Sequence, residues 1–384
     1  MKGEAWRWLV AAIVGAVALS ANAARADSDS DDQSAYQVTN LVSDIAGEAP
    51  NTDGHLKNPW GAAWFPGGPL WVSDNNAGVA TLYDGNGDIV PLVVTIPGAG
   101  GAAGAPSGIV WNPVGFQGQF AIPGHAASGG AIFIFVGEDG IISAWNPGVD
   151  PVVAGHSTAS VVHDNSASGA VYKGLAFGSN KLGNFIFATN FNAGTVEAYN
   201  SNFTLTKLDG TFSDPNIPAG FAPFGIANVD NNLFVTYARQ DAAKHDPVSG
   251  AGEGFVDVFS TDGVLIRRFA SRGTLNAPWG VTRATEGFGR FSSDVLIGNF
   301  GEEGAFAGWI NAFDNRGQFL GELRTADGHP IAIPGLWALY FGSFLASDGD
   351  TLYFTAGINH EADGLFGKIA PVPGHGDDVA SNAH

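Results

Sequence analysis

Asn58-Pro-Trp-Gly61 and Leu275-Asn-Ala-Pro-Trp-Gly280 are two renderings of one phrase, and the phrase decides the fold. It returns as Pro106-Ser-Gly108, Tyr172-Lys-Gly174 and Pro223-Phe-Gly225, and in degenerate form as Gly335-Leu-Trp337. Each copy opens an apolar strand. With Trp337 as the sixth anchor, the spacings are 47, 66, 51, 55 and 57 residues. Strands repeating at such lengths without helical periodicity predict propeller blades.

Outward from each phrase the pattern continues. Second strands are expected over 70–73, 131–136, 185–189, 233–237, 295–298 and 351–355, and third strands over 79–83, 141–145, 195–199, 255–259, 309–313 and 365–369. Turns such as Asp84-Gly85 and Asp262-Gly263 then suit a hairpin into a fourth, outer strand. The last repeat stops after three strands, and 36–42 alternates as a strand ahead of the first phrase. Pairing of that strand with the last blade closes the ring without exposed edges. The expected fold is therefore all-β, a six-bladed β-propeller over 36–370. A two-sheet sandwich would leave six equivalent phrases unexplained.

Composition narrows the function. The chain has 384 residues, 17 Lys and Arg against 37 Asp and Glu, a formal charge of -20, and no Cys. No thiol nucleophile, zinc-thiolate site or iron–sulfur cluster is possible without Cys. No basic excess marks a nucleic-acid or anionic-membrane partner. Residues 1–26 place Lys2 and Arg7 before an apolar run over 9–19 and then Ala21, Ala24 and Ala26, the order of a secretory signal peptide. Cleavage after Ala26, with Ala23 as the alternative, removes a net +2 and leaves a mature chain of -22. A run that short does not span a bilayer. The expectation is a secreted or periplasmic protein, monomeric and without a membrane span after cleavage. Residues 27–35 and 371–384 read as disordered leader and tail.

The phrases, together with Ala170-Val-Tyr-Lys-Gly174, Tyr237-Ala-Arg-Gln-Asp241, Gly252-Glu-Gly-Phe-Val-Asp-Val-Phe259, Gly298-Asn-Phe-Gly301 and Gly335-Leu-Trp-Ala-Leu339, resemble a bacterial family of secreted six-bladed propellers with NHL-like repeats. Some of its members end in a PEP-CTERM sorting tail, which is not seen after Ala370. The resemblance implies a fold and a compartment and no reaction.

Candidate chemistry comes from the residues. Loops entering the first strand and loops joining second to third strands share one face of a propeller. His55, His163, His245, His329 and His360 are expected there, with His125 opposite, His375 and His384 in the tail, and an acidic set from Asp74 to Asp363. His245, His360, Glu253, Asp74 and Glu361 are the candidate metal ligands, and Ca²⁺ or Zn²⁺ is the divalent cation such donors would suit. The longest loop, 238–254, gathers Arg239, Asp241, Lys244, His245, Asp246 and Glu253. His245 beside Asp246 offers a general base with a carboxylate; the same residues also read as a turn at Asp246-Pro247 with Glu253 closing the loop base.

Before the anchor Gly, or at the matching site, stand Trp60, Ser107, Lys173, Phe224, Trp279 and Leu336. Bulky apolar groups and a Lys do not make the oxygen cage with which lactonase-like propellers hold a central cation. Trp60, Phe224, Trp279 and Trp337 recur at one repeat position and are candidate ligand-stacking groups, with Tyr237 and Arg239 beside them, although packing between blades is the simpler use of such rings. Lys173 among apolar neighbours is a candidate nucleophile or base, or the partner of a rim carboxylate. The expected function is a binding or interaction module at the cell exterior, taking a small-molecule, glycan or protein ligand at the propeller face. The alternative is a hydrolase or lyase on the loop-rich face, with or without a divalent metal.

Overall fold

The computed structural model describes residues 35–124 and 129–372. The expected signal peptide and all of the expected leader and tail but Ala35, Pro371 and Val372 lie outside the described residues, as do His125, His375 and His384; Pro371 belongs to the last strand rather than to the tail, and the Val372 N–H donates to the Ala35 carbonyl at 2.7 Å. Six small sheets follow the repeat. Their inner strands are Pro59–Ala63, Pro106–Trp111, Tyr172–Asn180, Phe221–Val229, Pro278–Arg283 and Leu336–Tyr340. Tyr36–Ser43 runs antiparallel to Leu365–Pro371, Tyr36 opposite Pro371 and Ser43 opposite Leu365, so the N-terminal strand closes the sixth blade as expected.

Three blades depart from the four-stranded plan, blade 6 by a short fifth strand, Asn51–Thr52, that runs parallel to Tyr36–Ser43. Blade 3 keeps three strands: the stretch after Asn200 returns to the third strand only briefly, through the Tyr199–Leu205 bridge and the Thr206 N–H on the Ala198 carbonyl at 2.8 Å, and forms no fourth strand. Blade 1 gains a strand instead: His156–Thr158 pairs parallel with Ile89–Thr95.

What the phrase does is common to all six blades. Pairing between inner and second strand slips at it, between Pro59 and Ala62, Pro106 and Ile109, Tyr172 and Gly174, Pro223 and Ile226, Pro278 and Val281, and Leu336 and Leu339. Each slip is a β-bulge, which kinks the strand and frees peptide groups from the ladder. Hydroxyls take up several of them. Thr189 Oγ1 accepts from the Gly174 N–H at 2.8 Å and donates to the Phe224 carbonyl of the next blade at 2.7 Å. Thr355 Oγ1 accepts from the Ala338 N–H at 3.1 Å and donates to the Trp60 carbonyl at 2.6 Å, which stitches the last blade to the first.

The anchor Gly is needed where blades touch. A Cβ on Gly225 would lie 2.2 Å from the Trp279 carbonyl oxygen, and one on Gly280 2.5 Å from that of Trp337. The register also corrects one alignment. Leu336 pairs with Ala356 as Pro59 pairs with Asp74, so Trp337, not Leu336, is the counterpart of Trp60 and Lys173.

Gly225→Ala is expected to lower unfolding free energy by about 1–3 kcal/mol through overpacking against backbone, whereas Gly54→Ala, with open space around its Cβ position, changes it by less than about 1 kcal/mol. Urea unfolding midpoints of the two variants check this.

Candidate functional site at the channel mouth

Residues just before the bulge glycine meet at the channel axis. Trp60 stacks on Trp337 with centroids 3.5 Å apart and planes at 21°, Trp337 stacks on Phe300 at 3.9 Å, and Trp279 meets both indoles edge-on at 6.3 and 5.7 Å. Phe224 leans on Trp337 at 5.9 Å. These rings come from blades 1, 4, 5 and 6, so they plug the channel. Trp60, Phe224, Trp279 and Trp337 are 2, 0, 8 and 0 % exposed, and their faces are spent on one another. The stacking groups expected for a ligand therefore sit in the core.

Of the six positions two carry no ring, the buried Ser107 and Lys173, and Lys173 alone is charged. Its side chain is fully buried, with the ammonium 4.9 Å from the Trp60 ring centroid and 5.9 Å from that of Phe191. It pairs closely with Glu138, from the second-to-third-strand loop of blade 2, and reaches Asp246 Oδ1 of the long blade 4 loop at 3.4 Å. Asn75 Nδ2 donates to the other Glu138 oxygen at 2.8 Å. His245 Nδ1 lies 2.8 Å from Asp246 Oδ1. The His245 hydrogen bond, with help from Lys173, holds the Asp246 carboxyl down to about 2, and Asp246 in turn raises the His245 imidazole above its ordinary value. The loop presents this pair through Asp241, whose Oδ1 accepts from the His245 and Asp246 backbone N–H groups at 2.8 and 3.3 Å.

Glu361 approaches from blade 6. It ends three consecutive left-handed residues, Asn359, His360 and Glu361, with φ of 55°, 54° and 62°. Such conformations are strained by about 1–3 kcal/mol each and cluster at functional sites. Asn76 Nδ2 holds the turn by donating to the Glu361 carbonyl at 2.6 Å. Burial, then the nearby Glu138 and Glu302 carboxylates, push the Glu361 carboxyl up to about 7, against a 2.6 Å hydrogen bond from Asn58 Nδ2. Asn58 is oriented by the plug itself, since its Oδ1 accepts from Trp337 Nε1 at 3.0 Å.

Other candidates lie elsewhere. Asp74 is buried inside blade 1, accepting from Thr81 Oγ1 at 2.7 Å, because the residue ends its strand facing the sheet rather than the loop. Glu253 sits at the base of the long loop, bridged to Asn276 and salt-bridged to Arg239 at 3.4 Å; the turn-and-base reading of that loop holds for it and for Arg239. Tyr237 is buried between blades 3 and 4 with the Phe255 cluster. The histidines do not converge: His55 lies on Asp53 at 3.0 Å, His163 falls in an outer strand against Tyr199, His329 is near Asp327, and the exposed His360 is 3.6 Å from Glu302. Glu138 was seen in sequence only as one rim acid among many. What singles it out is the buried lysine, and that pairing joins residues 35 apart in the chain.

Of the expected metal ligands only His245 enters a compact donor group: Glu138, His245 and Asp246 offer donor atoms within 4.8 Å of one another. Two carboxylates and one imidazole are too few oxygens for Ca²⁺ and a plausible start for Zn²⁺. The Lys173 ammonium, however, already engages both carboxylates, so this group, the one such cluster among the described residues, does not fit a resident divalent ion.

Fold and mouth define a six-bladed propeller whose aromatic-plugged channel carries one buried, ion-paired lysine. The chain belongs to the family that includes the uncharacterised proteins R648 and L690 of Acanthamoeba polyphaga mimivirus. It is 32% identical to R648 over 341 residues, covering 87% of this chain and 80% of R648, and 31% identical to L690 over 339 residues, covering 87% and 85%. These relatives are viral, not bacterial as the repeat phrases suggested. No family model matches the chain. Among solved structures, a protein of unknown function from Bacteroides thetaiotaomicron superposes with a TM-score of 0.52 at 12% identity, over 88% of this chain and 77% of that one. Streptogramin B lyase reaches 0.49 at 14% identity, over 88% and 97%. Likeness at that level concerns the fold alone.

Two outcomes are expected. Because the folded Glu361 carboxyl titrates near 7 against an ordinary 4.5, its contribution to stability is full below 4.5 and lost as pH rises through 7. Glu361→Gln should therefore raise the melting midpoint at pH 8 and leave it unchanged at pH 4, read by calorimetry across pH. Elemental mass spectrometry on untagged protein should find divalent metal well below one equivalent per chain, with the same melt before and after EDTA.

Proposed function

We propose that the chain is a binding module exported to the cell exterior or periplasm, with the loop-rich channel mouth as its recognition surface. The observation that carries this reading is Lys173. A buried ion pair is often no more stabilising than an apolar replacement, and the equivalent positions in blades 1, 4, 5 and 6 are filled by Trp60, Phe224, Trp279 and Trp337, which pack without charge. A charge network kept at one blade serves the mouth rather than the ring. Around it stand Glu138, Asp246, Glu302 and Glu361, an acidic surround suited to a cationic or hydroxyl-rich ligand, a glycan or small molecule above all. The N-terminal pattern of residues 1–26 and the resemblance of the phrases to secreted bacterial NHL-like propellers support export, and a charge of -20 argues against nucleic acid as partner.

A second reading has its own support. Asp246 held near 2 and Glu361 near 7 are two carboxyl groups driven apart by their surroundings, the arrangement that acid–base catalysis uses. On that reading Glu361 is the general acid and His245, oriented by Asp246, the base of a metal-independent hydrolase or lyase.

Screening of the intact chain on a glycan array and against soluble polyamines tests the first reading. A ligand retained by wild type should bind at least tenfold more weakly to His245→Ala at unchanged melting temperature. Retention that survives both His245→Ala and Glu361→Gln at full strength places recognition elsewhere. Turnover of any retained ligand, lost in Glu361→Gln, would favour the enzyme.

A further inference from the structure

Beyond the plug, the channel opens at the end away from the mouth into a cavity of about 570 Å³, lined by all six inner strands. Its deep end is Trp279, whose indole N–H donates to the Lys173 carbonyl at 3.2 Å. Three residues past each bulge glycine, counting Ala338 as the sixth, stand Trp64, Trp111, Phe177, Asn228, Arg283 and Phe341, and every one of them lines this cavity. The set is asymmetric. Blades 6, 1, 2 and 3 present aromatic rings in succession, while blades 4 and 5 present an amide and a guanidinium.

We propose that this funnel is a second binding site, separate from the mouth, for a small molecule with an aromatic or apolar ring body and one polar, anionic end.

Three features support it. The four rings are only partly buried, unlike the sealed rings of the plug, and although each packs on one side against a core cluster it still lines the cavity. The volume falls in the range of small-molecule sites, which are mostly apolar with a few polar groups that set orientation. Arg283 is fixed in place: its Nε donates to Asp230 Oδ2 at 2.8 Å and its Nη1 to the Ser293 carbonyl at 2.7 Å. A pre-positioned guanidinium, ion-paired to the Asp230 carboxylate that lines the same cavity and holding Ser293 and Asn315 through Nη1, offers its Nη2 as a defined place for the polar, anionic end to dock. A ring of six strands closed by Trp279 confines the occupant to small-molecule size, which favours it over a protein segment.

The probe is 1-anilinonaphthalene-8-sulfonate, whose two aromatic ring systems and single sulfonate match the asymmetry. Titrated into the full chain under native conditions, it should bind once per chain by calorimetry and receive energy transfer from tryptophan. Asn228→Trp, an exposed position that narrows the funnel, and Arg283→Met should each weaken binding at least tenfold, while His245→Ala at the mouth leaves it unchanged. That last arm separates failure here from failure of the mouth reading. Binding at several equivalents, or with equal strength in Asn228→Trp and Arg283→Met, overturns the proposal. Should either variant not fold, a wild-type crystal soaked with the probe decides: density between Trp64 and Phe177 supports the site, and density only elsewhere, or none, overturns it.

Discussion

The close approach of neighbouring inner strands at the bulge is the constraint on which the rest of the molecule depends. In five of the six blades the bulge turns the strand so that a glycine lies on the backbone of the next blade, with Ala338 at the matching place in blade 6, and a side-chain hydroxyl such as Thr189 or Thr355 carries the displaced hydrogen bonds across the gap. A Cβ at Gly225 or Gly280 would fall well inside contact distance of the next blade's backbone. Because the ring closes on itself, one badly fitted junction must be shared by all six. The N-terminal strand in blade 6 acts on the same constraint from outside, since it leaves no blade with an unpaired outer edge at the seam.

The bulge also sets where chemistry can occur. It aims the residue before the glycine at the axis, and four large rings delivered there fill the channel instead of lining it. Lys173, delivered by the same geometry, is fully buried. It draws Glu138 from one blade and Asp246 from another, and those carboxylates bring Asn75 and His245 with them. One lysine thus organises loops from three blades. The same step along the strand that closes the channel at one position leaves it open three residues later, where the strands have moved on and half-buried rings face a cavity.

Much of the fold was legible because a bulge that must meet a neighbour's backbone demands Gly and recurs wherever a blade begins. The strand assignments and the closing strand at 36–42 followed from that repetition. That blade 3 stops at three strands is displayed by no local pattern, since it depends on whether the chain after Asn200 finds a pairing partner. At the site, His245, Asp246 and Lys173 were each visible as candidates from loop length and from a charged residue in an apolar slot. Asp74 and Glu253 were grouped with them only because loop residues of one sign look alike when their direction is unknown, and Tyr237 because a strand end beside the long loop does not show which way its ring points. The ring from Trp64 to Phe341 was present in the sequence at constant offset from the glycines and went unread, since the offset matters only once the strands share an axis.

Sequence alone determined the number of blades, the position of each junction and the residues that reach the channel, because backbone sterics at the glycine and the two-residue alternation of strands are local properties. Tertiary structure alone decided what those residues meet there: that four aromatic rings seal against one another, that Lys173 finds Glu138 and Asp246, and that Glu361 arrives on a strained turn near carboxylates of other blades. Contacts between blades depend on the closure of the whole ring, and no stretch of chain shorter than the ring encodes them.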